Sequence, residues 1–112
     1  WEQALANANT LASGSAGLTD GSKAGDWRLP NVKELHSLID FEHFDLALSN
    51  ALGTGKWTSG DAFIGVQSAS YWSSTTYSDN TTFAWRVGLY GGVVGADYKP
   101  SRYFVWPVRA GQ

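Results

Sequence analysis

Residues 82–89 read Thr82-Phe83-Ala84-Trp85-Arg86-Val87-Gly88-Leu89, and bulky apolar side chains alternate along them with small or polar ones. A period of two marks an extended strand, because successive side chains leave a pleated backbone on opposite sides. Phe83, Trp85, Val87 and Leu89 are therefore expected to face a core and Arg86 to face out. Gly91-Gly92 follows at once and reads as a tight hairpin turn. Val93–Tyr98 is then the partner strand, and Phe104–Ala110 forms a last one. Pro107 has no N–H to give to a ladder, which places that strand at an edge or a bulge.

Upstream the period changes. Trp1, Leu5, Ala8 and Ala12 fall at helical spacing with Leu11 beside them, predicting an amphipathic helix over residues 2–13. The Gly- and Ser-rich stretch Ser13–Gly25 breaks it as a loop. Asn31 with Glu34 three positions on resembles a capping box opening a second helix, whose apolar face is Val32, Leu35 and Ile39, with Leu38 adjoining. From Phe41 to Ser70 no period holds, and Gly53, Gly55, Gly60 and Gly65 punctuate an irregular segment that either carries function or fills space. Two helices followed by an antiparallel, mostly C-terminal β-sheet, with long irregular loops, is an α+β order.

At 112 residues the chain is one domain, large enough to bury a core without staples. It has no cysteine, which excludes a disulfide framework, a thiolate nucleophile and a cysteine-ligated zinc site. No stretch is long and apolar enough for a membrane helix, so no membrane insertion is expected. Trp1 stands where an initiator Met would, with no charged region leading into an apolar one, and the chain reads as trimmed at its N-terminus. From Asn80 onward Arg86, Lys99, Arg102 and Arg109 stand against Asp97 alone, whereas residues 1–79 are net negative. That mild positive third could attract an acidic partner. It is too sparse for nucleic acid, whose binders carry many more cations per domain.

Residues 26–35, Asp26-Trp27-Arg28-Leu29-Pro30-Asn31-Val32-Lys33-Glu34-Leu35, resemble the signature block of the Lcl C-terminal-like family. Gly65-Val66-Gln67-Ser68, Tyr71-Trp72-Ser73-Ser74-Thr75, Ala84-Trp85-Arg86-Val87 and Val105-Trp106-Pro107-Val108-Arg109 resemble its later blocks, in order and at fitting spacing. The resemblance covers nearly the whole chain. It implies a C-type-lectin-like fold, relatives among bacterial surface adhesins (some binding sulfated glycans), and an extracellular, cell-surface or virion-surface location. Many such relatives carry one Cys in the first helix and one near the final strand. Pro107 lies where the second would be.

A narrower resemblance is to the variable proteins of diversity-generating retroelements, which share that fold and often close on a V-R-P-V-R-A block. Trp85, Val87, Gly92, Val94, Lys99, Val105, Pro107, Val108, Arg109 and Ala110 fall on the fixed positions of their pattern. The varied positions become Arg86, Gly88, Tyr90, Gly91, Val93, Gly95, Ala96, Asp97, Tyr98, Pro100, Ser101, Arg102 and Tyr103. Each of these has a codon reachable from an asparagine codon by adenine changes alone, and Trp106 is one such change from an arginine codon. The resemblance thus implies a diversified ligand-binding surface within residues 86–106 of a single domain spanning 1–112.

Catalytic chemistry finds no candidate. His36 and His43, near Asp40, Glu42 and Asp45, could hold a divalent cation. They interleave with Phe41, Phe44 and Leu46, which favours a structural or solvated role. Asp79-Asn80 could offer oxygens to calcium, but Asx residues are ordinary turn formers. The calcium–sugar motifs of true C-type lectins are missing from the sequence. Sulfatase-activating enzymes of the same fold depend on cysteines, which leaves that activity a remote alternative. No cofactor and no metal is expected.

The C-terminal third instead has paratope-like composition, with Tyr and Trp among Gly, Ser, Asp and Arg. Trp27, Trp72 and Trp85 are expected to be mostly buried. Arg86, Tyr90, Tyr98, Arg102, Tyr103 and Trp106 are expected to form one outward patch. The reading is a non-enzymatic module binding a protein or glycan ligand, with a homo-oligomer left open. The alternative is an adhesin binding sulfated glycans through its basic residues.

Overall fold

A computed structural model describes residues 1–58, 63 and 65–110. Its elements are α1 (Glu2–Thr10), β1 (Trp27–Arg28), α2 (Val32–His36), β2 (Ser70–Thr76), β3 (Phe83–Gly88), β4 (Val93–Tyr98) and β5 (Val108–Arg109). β2, β3 and β4 make an antiparallel sheet in that order, and β1 pairs antiparallel with β5. The class is α+β, as the order of periods predicts. Gly60 lies outside the described residues.

The helices are shorter than their apolar spacing suggests. α1 stops at Thr10 because Leu11 turns extended, with its N–H returned to the Ala8 carbonyl. A loop closed by Ser13 N–H donating to the Ser22 carbonyl at 2.8 Å then takes over. Ala12 therefore lies beyond the helix, while Ala8 is buried and Trp1, Ala4 and Leu5 pack beside it.

α2 has the predicted capping box. The Asn31 side chain accepts from Glu34 N–H at 2.8 Å, and the Glu34 carboxylate accepts from Asn31 N–H at 2.9 Å. Arg28 grips the same carboxylate with two parallel bonds of 2.7 and 2.8 Å. That grip, with the Asn31 N–H, holds the Glu34 pKa at about 2, below its ordinary 4.5. Because the folded value is the lower one, the stabilisation is present above the unfolded pKa and is lost as the pH falls toward the folded value. The pair is half exposed, so solvent screening keeps the effect modest. Asn31→Ala is expected to cost about 0.5–2 kcal/mol by denaturant titration. Glu34→Gln should flatten the acid limb of a plot of melting temperature against pH.

β3 and β4 pair over the predicted residues, from Phe83↔Tyr98 to Gly88↔Val93. The turn is a four-residue one, Leu89–Gly92, and not the two-residue Gly91-Gly92 turn. Gly92 N–H closes it onto the Gly88 carbonyl at 2.8 Å. Gly92 sits at φ +85, where a Cβ would come within 2.7 Å of Ile39 Cγ2 and Phe41 Cε1, so glycine is required there.

The assignment of one buried and one exposed face to β3 needs correction. Val87 and Leu89 are buried with Tyr71, Leu35, Leu46, Leu48 and Trp57. Ala84, on the other face, is equally buried in a second cluster with Trp72, Leu29 and Ala8. Each face is covered in part: α1 and Leu29 lie over the Ala84–Trp72 part of one, leaving Val93 exposed at its other end, and the described part of the irregular middle segment lies over the other. Phe83 and Trp85 are consequently only half-buried, Trp85 lying edge-on to Tyr77 at 5.2 Å. Of the three tryptophans expected inside, Trp72 is buried, while Trp27 is half-buried beneath the Arg109 guanidinium at 5.5 Å.

The described part of the segment 41–70 supplies Leu46, Ala47, Leu48 and Trp57 to the core. It is laced to the hairpin by Ala47 N–H donating to the Leu89 carbonyl and Asp45 N–H to the Tyr90 carbonyl. The last strand is only Val108–Arg109; Phe104 makes a single bridge to Tyr71, and Pro107 separates the two.

Candidate binding surface

Arg86 projects from β3 between two strands that leave it room. The guanidinium lies over Gly95, where a Cβ would sit 3.5 Å from Nη2. It donates to Ser70 Oγ at 3.2 Å and to Asp97 Oδ2 at 3.4 Å. Asp97 also accepts from Tyr98 N–H at 2.8 Å and from the Tyr103 hydroxyl. Gly88 lets Tyr90 fold back over the strand, since a Cβ there would run into the Tyr90 ring. Gly88 therefore acts by omission, letting the phenol lie flat on the sheet, whereas a Cβ on Gly95 would only reach ordinary contact distance of the guanidinium.

This cluster shifts its own titrations. Burial alone would lower the Arg86 pKa, but Tyr103, Tyr90 and Asp97 together hold it above its ordinary value. The Tyr103 hydroxyl, then Tyr98 N–H and Arg86, hold Asp97 below its ordinary value, while the Asp97 hydrogen bond pushes Tyr103 up. At neutral pH the centre is a carboxylate–guanidinium pair with the protonated Tyr103 phenol bonded to it.

The varied positions divide. The pleat puts Arg86, Gly88, Val93, Gly95 and Asp97 on one face, and Tyr90 and Tyr103 join them. Ala96 and Tyr98 lie on the opposite face, with Tyr98 exposed against Phe83 at 6.0 Å. Gly91 is at the hairpin tip. Pro100, Ser101 and Arg102 follow β4, with Pro100 and Arg102 exposed.

The single six-residue patch is thus corrected. Tyr98 faces away, and Trp106 packs edge-on against Phe63 at 4.8 Å and near Tyr71. Tyr103 is not freely exposed: its ring stacks edge-on to Trp72 at 4.9 Å and carries the Arg86 guanidinium 5.6 Å from its centre. Gly88 is buried and shapes the surface without touching what lies above it.

Two aromatic side chains outside the core were missed from the sequence. Phe41 and Phe44 are exposed beside the hairpin tip. Their signal was present: each has acidic neighbours in Asp40-Phe41-Glu42-His43-Phe44-Asp45, with no helical or strand period to bury them.

The ligating groups weighed from sequence have these positions. Donor atoms of Asp40, Glu42 and His43 lie within 4.8 Å of one another, with His43 Nε2 3.9 Å from Asp40 Oδ2. Asp40 Oδ1 is engaged by Glu42 N–H at 2.9 Å. His36 packs edge-on to Phe41 at 5.8 Å. Asn80 Oδ1 is used within its own turn, accepting from Thr82 N–H and Oγ1.

Among the described residues no helix is long and apolar enough to cross a membrane. No curated protein and no solved structure matches the chain. The family model of the Lcl C-terminal domain matches residues 1–109. That span takes in the Trp27–Leu35 block, which forms β1 and the capped α2, and the closing strand that pairs with β1. By this match the chain belongs to the Lcl C-terminal domain family.

Proposed function

We propose that this chain is a non-enzymatic ligand-binding module that presents the Arg86 face on a C-type-lectin-like scaffold to a protein or glycan. The observation that carries the reading is the β3–β4 register, which collects Arg86, Val93, Gly95 and Asp97 on one face. Tyr90 and Tyr103 flank the Arg86–Asp97 pair there. Aromatic rings beside a satisfied donor–acceptor pair give contact area at low entropy cost, together with directional hydrogen bonds. The antiparallel pairing of β1 with β5, which brings the closing strand back beside Trp27–Arg28, supports the lectin-like scaffold.

The finer reading is that this face is diversified by a retroelement. Seven varied positions gather on it as side chains or as spacers, and Pro100 and Arg102 stand exposed nearby. Sequencing the DNA around the gene tests this. The expected result is a near-identical repeat of the segment encoding residues 86–106, differing at adenines, beside a reverse-transcriptase gene. A flank with neither would remove diversification and leave only the binding module.

An adhesin binding sulfated glycans draws less support. Arg86 is committed to Asp97, Arg109 stands 3.7 Å from Asp20, and Lys99 lies over the Trp1 ring at 4.1 Å. Arg102 alone of the four cations has no such partner among the described residues, too little for polyanion recognition.

A further inference from the structure

The loop Asp40–Asp45 places two phenylalanines outside both cores. Phe41 is 70% and Phe44 68% exposed. The two rings form one tip with the hairpin turn, because a Cβ on Gly91 would come 3.3 Å from Phe44 Cε2 and one on Gly92 2.7 Å from Phe41 Cε1. The loop is fixed from behind by Asp40 N–H donating to the Ala47 carbonyl at 2.7 Å and Asp45 N–H to the Tyr90 carbonyl at 2.8 Å.

Beside the tip runs an unpaired sheet edge. β4 ends the three-stranded sheet, with no strand beyond it among the described residues. The far side of β2 is by contrast occupied, with Trp72 N–H on the Phe104 carbonyl and Ser74 N–H on the Pro30 carbonyl. A free edge offers main-chain donors and acceptors to an added strand, and clustered exposed aromatics mark a surface that meets another molecule.

Charge decides what that molecule is. Asp40, Glu42 and Asp45 interleave with the two rings, and from Glu34 to Gly55 the chain has no Lys or Arg. An anionic lipid surface or a nucleic acid would be repelled, and a second copy would bring the same carboxylates against these. We propose that the Phe41–Phe44 tip and the open edge of β4 dock a lysine- or arginine-bearing, apolar β-strand segment of a partner protein. The strand extends the sheet along Val93–Ala96, short of Tyr98, whose N–H is held by Asp97; its apolar side chains cover the rings, and its cations meet the carboxylates. This surface is separate from the Arg86–Asp97 pair.

The test uses the whole chain and a labelled, end-capped peptide alternating lysine with valine, with a glutamate–valine peptide as control, followed by fluorescence anisotropy. The lysine peptide is expected to bind and the glutamate peptide not. Phe41→Ser/Phe44→Ser should weaken binding about tenfold or more, the loss typical of removing anchor residues, at an unchanged melting temperature. Asp40→Asn/Glu42→Gln/Asp45→Asn should weaken it several-fold and flatten its salt dependence. Arg86→Gln should leave it unchanged, which separates this surface from the binding face described above. On the unaltered chain, amide shift changes should fall at Phe41–Asp45 and Gly92–Ala96. Equal affinity for both peptides, full binding by a folded double-phenylalanine variant, or shift changes elsewhere would overturn the proposal. So would phosphatidylserine vesicles binding the chain in a phenylalanine-dependent way.

Discussion

Trp72→Ala is expected to lower the unfolding free energy by about 3–5 kcal/mol, the range for truncating a buried large aromatic side chain. Trp72 is 1% exposed and lies among Leu29, Ala8 and Ala84, with the Tyr103 ring edge-on above it. It joins the sheet to α1, so its removal leaves a cavity that backbone on both sides holds open. Trp85→Ala should cost distinctly less, because that ring is half-buried and packs chiefly on Tyr77. Urea titration of both variants checks the pair. A loss within about 1 kcal/mol for Trp72→Ala, the scale of ordinary surface change, would contradict a core divided over both faces of the sheet.

Asp97→Ala should also destabilise, although Asp97 falls on a position expected to vary. Its carboxylate serves Arg86, the Tyr103 hydroxyl and Tyr98 N–H together. Removal leaves three donors without that acceptor, at a cost of about 1.5–3 kcal/mol on the scale for hydrogen bonds to charged groups. Asp97→Asn keeps the shape and an acceptor oxygen and should recover part of the loss. Denaturant titration of the two variants distinguishes a structural carboxylate from a freely variable one. Equal stability of wild type and Asp97→Ala would return Asp97 to the variable set.

The contrast between Trp72 and Trp85 explains what the sequence made legible. Strand period and register were readable at Phe83–Gly88 and Val93–Tyr98, because alternation and Gly91-Gly92 are local signals. The capping box at Asn31 and Glu34 was readable for the same reason. Which face is buried is not local: it depends on α1 and Leu29 returning over Ala84, contacts more than fifty residues away along the chain. The same limit affected the candidate surface. Arg86 shares a face with Gly95 through the hairpin register, and alternation along β4 then adds Asp97. Tyr98 falls on the far face by that same parity, and Trp106 is drawn off by Phe63 and Tyr71. Trp57 carried no period in an irregular stretch, so its burial in the larger core had no sequence signal.

On the proposed reading, the outer part of the Arg86 face is free of folding duties and holds the ligand. Tyr90 and Val93 are its members outside the main packing clusters, and Arg102 stands exposed in the stretch that follows β4. Tyr90→Ser/Val93→Ser/Arg102→Ser should therefore leave the melting temperature nearly unchanged, as exposed substitutions away from caps and cores do. The decisive measurement applies wild type and this triple variant to one array of sulfated glycans, unsulfated glycans and surface proteins, with melting temperatures taken in parallel. Wild type is expected to mark one ligand or a narrow set, and the folded triple variant to lose it. A triple variant that unfolds, or that binds the same ligands as wild type, would contradict that reading.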